Sequence, residues 1–368
     1  MTKILKVTAF IAVTGITGLV ASHASATTNS LGQGNCTIAG YSTTYSACTG
    51  DTVAASTAIT SSETVAIAAT QTVGLITARI NALTGPGMGS KMSYADGKGK
   101  FSYNIGLDEN GKAAGGSEQK IGAWVSGTWS RTIYDKSDDS SFDGNSWNGM
   151  LGVDYRFTDQ FLAGISAGYE DRNIATAGNE GNEDSNGWTV APYALITLDK
   201  TFSISATGGY SSIDYDVDRL DPMVSTLIKG STSATRLFGA LDINGNWEKD
   251  KWTFGGSLGT LYAREKKDGF TETGEGALTV ASKTTTLGRV RVGGDVGYSF
   301  GNVLPFVKAG YNYDYNDGGS GDSDSLDYGL GMRFNLSDNI SGIIEGSGTA
   351  LKDNLQNYSG TASIRFNF

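Results

Sequence analysis

Two stretches of the chain match the pattern G-x-S-x-G: Gly164-Ile-Ser166-Ala-Gly168 and Gly255-Gly-Ser257-Leu-Gly259. Such a pattern marks a nucleophile elbow when the serine sits on a sharp strand-to-helix turn beside a base. The base is missing. The chain has 1 histidine, His23, and it lies in a stretch that reads as a removable export signal. Its loss excludes Ser-His-Asp and Cys-His chemistry and any His-containing zinc site. Both serines also fall within alternating runs of small residues that generate the motif without a catalytic demand. The segment Asp317-Gly-Gly-Ser-Gly-Asp-Ser-Asp324 gathers the oxygen ligands that calcium uses, but lacks the ordered spacing and closing bidentate Glu of an EF-hand loop. It reads as a solvated surface loop. The expectation is therefore no enzyme activity, no catalytic residue, no metal and no cofactor.

The export signal rests on three features. Lys3 and Lys6 form a positive start, Ala9 to Val20 an apolar stretch, and Ala24-Ser25-Ala26 a small-residue cleavage site, which together predict a signal peptide at residues 1–26. Removing it takes away two lysines and makes the formal net charge of −10 more negative by two units. An acidic chain argues against nucleic acid as a partner, since neutralising phosphate needs a basic surface. The two cysteines, Cys36 and Cys48, lie close together. In an exported chain an even count at short spacing suggests a disulfide, the alternative being two unlinked thiols. Residues 27–59 around them are rich in Thr, Ser, Ala and Gly, with little to bury.

The pattern changes at Thr60-Ser-Ser-Glu63, which has the form of a helix capping box. Val65, Ala69, Val73, Ile76, Ile80 and Leu83 then recur at three- and four-residue steps, and Gly85-Pro86-Gly87 stops the run. The spacing predicts a helix within residues 60–84, about 34 Å long at 1.5 Å per residue. Thr residues, Gln71, Gly74 and Arg79 interrupt it too often for a helix facing lipid. An amphipathic stripe also fits a packed surface helix. Residues 85–120 read as a Gly- and Lys-rich linker.

From Ile121 the period is two. Tyr358, Gly360, Ala362, Ile364, Phe366 and Phe368 fall on one face of the last segment, with Ser359, Thr361, Ser363, Arg365 and Asn367 on the other. That alternation is a β-strand between an apolar and a wet environment. Twelve such segments follow one another, at about 121–135, 146–157, 161–175, 187–199, 202–218, 234–248, 252–266, 284–299, 303–316, 325–336, 340–352 and 356–368. Tight turns alternate with mostly longer polar loops at 136–145, 176–186, 219–233, 267–283, 317–324 and 353–355. With only 39% hydrophobic residues and no apolar run of ~20 residues, this describes an all-β fold: a twelve-stranded antiparallel transmembrane β-barrel over residues 121–368. Asp154, Arg156, Arg289, Arg291, Asp295, Arg333, Glu345 and Arg365 share the wet parity and are candidate pore-lining residues. Aromatic residues near strand ends, among them Trp188, Trp247, Trp252 and Tyr298, would form interfacial girdles.

Over residues 60–368 the chain resembles the translocator domain of monomeric autotransporters. The likeness is carried by Gln71-Thr-Val-Gly-Leu-Ile-Thr-Ala-Arg-Ile80, Gly152-Val-Asp-Tyr155, Val190-Ala-Pro-Tyr193, Gly288-Arg-Val-Arg-Val-Gly-Gly294 and the terminal aromatic strand. The resemblance implies that the helix, with Val65, Val73, Ile76, Arg79 and Ile80, occupies the barrel lumen. It implies a place in the bacterial outer membrane, among lipid and lipopolysaccharide, as a monomer. It implies export by the general secretion machinery, and insertion by outer-membrane assembly machinery that reads Tyr358, Ile364, Phe366 and Phe368. It also implies that the segment before the helix is carried to the cell surface. Residues 27–59 are too few for the stacked repeats of a β-solenoid passenger, and Asn81-Ala82 replaces the Asn-Asn pair at which passengers are often released in the pore. The alternative reading is a helix-plugged, porin-like channel, or a structural or adhesive envelope barrel with no exported passenger.

Overall fold

The computed structural model describes residues 64–77 and 120–368, except 136–140, 178–179, 221–225, 319–321 and 338, together with the backbone of four short strands nearer the N-terminus. The signal peptide, the Cys36–Cys48 pairing, Arg79, Ile80 and most of the linker lie outside the described residues. The chain divides into two compact units, Met1–Cys48 and Thr49–Phe368. The first contains the antiparallel pair β1 (Asn35–Ile38) and β2 (Tyr41–Thr44).

In the second unit, helix α1 spans residues 64–77. A hairpin of β3 (Ser90–Ala95) and β4 (Lys98–Tyr103) follows. Then come β5 (Ile121–Tyr134), β6 (Phe142–Arg156), β7 (Phe161–Thr176), β8 (Gly181–Thr197), β9 (Phe202–Leu220), β10 (Leu227–Lys249) and β11 (Trp252–Lys267). The connection after β11 carries a small hairpin, β12 (Phe270–Thr271) and β13 (Thr279–Val280). The last five strands are β14 (Lys283–Tyr298), β15 (Val303–Asp317), β16 (Asp324–Ser337), β17 (Ile340–Ala350) and β18 (Leu355–Asn367). Strands β5 to β11 and β14 to β18 form one closed barrel of twelve strands, each antiparallel to its neighbours. Pairing of β18 with β5, Phe366 opposite Ala123 through to Leu355 opposite Tyr134, closes it. Closure leaves no unpaired backbone edge, which a hydrocarbon environment requires.

The alternation read from the sequence becomes inside and outside. Along β5, Trp124, Ser126, Thr128, Ser130 and Thr132 are buried toward the lumen, whereas Val125 and Trp129 are half-exposed outward. Leu330, Val307 and Leu151 likewise stand out from the wall. In water this apolar surface would be costly; facing lipid it is matched. Rings meet along the short-turn rim: Phe157 with Tyr155 and Phe161, Phe202 with Trp247, and Tyr298 with Trp252 and Phe300, at centroid separations of 4.9–5.8 Å. In the tight turn after β8, the Asp199 carboxylate accepts the amide protons of Thr201 and Phe202, both at 2.7 Å.

The strands outrun the sequence reading at one end. Residues 181–186 and 227–233 were expected to be loop, yet they extend β8 and β10, and β10 reaches 23 residues. Beyond the lipid both faces of a strand meet polar surroundings, so the two-residue hydrophobic alternation disappears while the backbone pairing continues.

Candidate functional site

The lumen is occupied. Val65, Ala69, Val73 and Ile76 of α1 are fully buried. Leu75, Ile76 and neighbouring residues pack in one apolar cluster with Trp124, Met150, Tyr193, Phe238 and Leu261, which point inward from β5, β6, β8, β10 and β11. Small wall residues make the space; at Gly152 a Cβ would sit 2.6 Å from the Trp124 indole. The polar residues that disqualify α1 as a lipid-facing helix are the ones that meet the wall. Gln71 donates to Ser130 Oγ at 2.6 Å and accepts from Ser146 Oγ at 3.3 Å. Asn148 donates to Thr72 Oγ1 at 2.9 Å, Arg289 to Thr70 Oγ1 at 3.1 Å and Arg291 to Thr77 Oγ1 at 3.4 Å. Arg172 Nη1 donates to the Thr64 carbonyl at 3.0 Å.

Of the candidate lining residues, seven join ionic contacts inside the barrel. Asp154 accepts from the Tyr193 hydroxyl at 2.9 Å, which in turn accepts from the Trp124 indole at 2.8 Å, and Arg365 lies 3.7 Å from Asp154. Arg333 pairs with Asp295 at 3.0 Å and stacks over the Phe306 ring. Arg291 pairs with Asp242 at 2.6 Å, Glu345 with Lys308, and Arg289 with Asp314, which also receives Lys352 at 3.3 Å. Arg156 is half-buried at the short-turn rim and joins none of these pairs among the described residues.

A second ionic cluster was not found from the sequence. Arg236 is fully buried between Glu170 and Glu265, both at 2.9 Å. The Tyr215 hydroxyl donates to Glu265 at 2.7 Å and accepts from Arg172 at 3.3 Å. Lys267 reaches Glu183 at 3.1 Å and lies 3.6 Å from the centre of the Tyr215 ring. Strand parity places Glu170, Arg172, Tyr215, Arg236 and Glu265 on the wet face, whereas Glu183 and Lys267 fall in expected loops, and only the register across β7 to β11 brings all of them together.

On the other side the lumen is open. A cavity of 360 Å³ runs beside Thr70, Gln71 and Gly74 of α1 and is walled chiefly by β14 to β18. Glycines line part of it, and the ion pairs of Arg333 and Lys308 face it. Ser257 is on its wall, while Ser166 is buried in mid-strand and donates to the Ala191 carbonyl at 2.9 Å. Neither serine occupies a strand-to-helix turn. No group of three potential metal ligands occurs among the described residues.

The terminal strand places Tyr358, Ile364, Phe366 and Phe368 on its outward face, each more than one-third exposed.

The geometry has close counterparts. The translocator domain of autotransporter NalP from Neisseria meningitidis is similar with a TM-score of 0.61 at 14% identity, covering 68% of this chain and 90% of that one. The beta domain of the Bordetella autotransporter BrkA is similar with a TM-score of 0.59 at 16% identity, covering 68% of this chain and all of that one. Esterase EstA of Pseudomonas aeruginosa is 25% identical over 244 residues, 59% of this chain. The chain spans only about a third of that relative's length, 36%. Residues 123–347 match the family model of the autotransporter beta-domain. With that match across most of the chain and a closed twelve-stranded barrel around a helix, the protein belongs to the autotransporter beta-domain family and is an outer-membrane translocator barrel.

Proposed function

We propose that the barrel exports and displays its own N-terminal segment, residues 27–59, and then keeps α1 in its lumen. The direction of the helix carries this reading. Thr64 meets Arg172, four residues from the long-loop end of β7, whereas Thr77 meets Arg291, midway along β14. Long loops lie outside the cell in outer-membrane barrels and short turns in the periplasm. The N-terminal end of α1 is thus directed toward the cell-surface side, which supports display of the segment that precedes it. A cysteine placed at Asn29, in a chain with Cys36 and Cys48 replaced, should react with a membrane-impermeant reagent on intact cells. Reaction only after lysis would overturn the display reading.

The secretion machinery delivers the chain under residues 1–26, and assembly machinery reads the outward aromatic face of β18. The barrel then stands as a monomer among lipid and lipopolysaccharide. Replacing Phe368 with Ser should lower insertion yield more than it weakens an inserted barrel; equal yield would count against that role. No hydrolytic role is inferred from the esterase likeness, because both G-x-S-x-G serines sit within strands and the single histidine lies in the export signal. The cavity beside α1 favours a second property, a small residual conductance. Deleting residues 60–84 should raise conductance severalfold, and an unchanged value would show that α1 does not limit the pore.

A further inference from the structure

The connection between β11 and β14, residues 268–282, folds inward over the tall wall made by β9 and β10. Several contacts hold it. Glu272 forms a two-pronged pair with Arg219, 3.0 Å to Nε and 2.6 Å to Nη2, and both side chains are buried. Arg219 also donates to the Gly276 carbonyl at 3.2 Å, and the Leu278 amide donates to Glu272 at 3.0 Å. Thr273 and Lys229 exchange backbone hydrogen bonds of 2.7 and 3.0 Å. The Phe270 ring rests on Gly230, where any Cβ would strike it.

The feet of this hairpin are Lys267 and Lys283, which face each other in the register of β11 and β14. Lys267 belongs to the ionic cluster through Glu183 and the Tyr215 ring. The same cluster holds the first turn of α1, since Arg172 bridges Tyr215 and the Thr64 carbonyl. One continuous set of buried contacts thus runs from α1 through Arg172 and Tyr215 to Lys267, which lies over the Tyr215 ring at the base of the hairpin.

We propose that residues 268–282 form a latched lid, fastened by Arg219 and Glu272, whose closure is coupled to occupancy of the lumen by α1. With α1 seated, the cluster is dry and its pairs are strong; with α1 absent, water enters, the pairs weaken and the feet of the lid loosen. A buried ion pair is poor at adding net stability but well suited to holding one geometry against another. The lid and α1 are thereby two parts of one two-state element, whether or not residues 27–59 are displayed.

Hydrogen exchange of the full chain in detergent micelles tests both halves, with retention of compact electrophoretic mobility before heating as the check on folding. Glu272→Gln should speed exchange across 268–282 by about tenfold or more while the barrel strands stay protected. Gly230→Ala, which leaves every charge in place, should do the same by displacing Phe270. Protection unchanged in both variants would overturn the latch. Tyr215→Leu removes both the hydroxyl that meets Arg172 and Glu265 and the ring that Lys267 faces, and should loosen the first turn of α1 and the lid together. Loosening of one without the other, or of neither, would overturn the coupling.

Discussion

The two sides of the lumen are built on different principles. Toward β5 to β11, large apolar side chains and the Arg236 cluster stand among small hydroxyl residues, and together they close around α1. Toward β14 to β18, glycines and paired charges line the wall together with Phe306 and Ile343, and 360 Å³ stays open. One wall, of seven strands, thus grips, and the other, of five, yields. Gripping requires dehydration, because dispersion and buried ion pairs both weaken when water intervenes. A hydrated side keeps room for a polar chain or for ions without holding them. The seat and the passage of a translocator can therefore share one lumen if they are assigned to opposite walls.

Breaking the packed side should cost most. Arg236→Ala leaves Glu170 and Glu265 as uncompensated buried charges, so it should lower stability by about 3–5 kcal/mol in denaturant unfolding of the barrel in detergent. Lys308→Ala on the open side removes a pair whose lysine is about one-third exposed, and should cost about 1 kcal/mol or less. Equal losses would erase the distinction between the walls. Ile76→Ala opens a hole in the grip and should cost about 2–4 kcal/mol, read most directly as faster hydrogen exchange along α1. The sign reverses at Gly74, where a new Cβ would meet nothing within 4 Å. Gly74→Ala should stabilise α1 by about 0.5–1 kcal/mol, and a loss there would show that the open side is closer-packed than its cavity implies.

The smallest effect concerns neither wall and serves as a control. The amides of Phe202 and Thr201 hold the Asp199 carboxyl below the usual carboxylate range. A lowered folded-state value means that this turn gains stability above the unfolded carboxylate pKa of about 4 and loses it as pH falls through the depressed value. Asp199→Asn should remove that part of the acid dependence in unfolding measured between about pH 5 and 2, and leave exchange in α1 unchanged.

The strands were legible because lipid enforces a pattern. Leu330, Met332 and Phe334 alternate with Gly329, Gly331 and Arg333 only while one face of β16 meets hydrocarbon. Val65, Val73 and Ile76 were legible as one face of a helix for the same reason, a demand for burial at fixed spacing. Arg236, Glu170 and Glu265 were not, since their meeting depends on register across β7 to β11, and parity alone says only that each points inward. The extensions at Gly181 and Leu227 escaped notice because polarity on both faces looks like loop. The inward hairpin at 268–282 carries no periodic signal at all; its position rests on one arginine, one glutamate and a glycine.

The seam between β18 and β5 sets an order of events. It joins residues more than two hundred positions apart, as in the Ser126 hydroxyl that reaches the Ala362 carbonyl. A ring whose final join waits for the last strand stays laterally open while every earlier strand is being made. Until then α1 can enter from the side; afterwards it can enter or leave only along its own axis. Closing the seam therefore converts a segment that is merely beside the wall into one that is threaded through it.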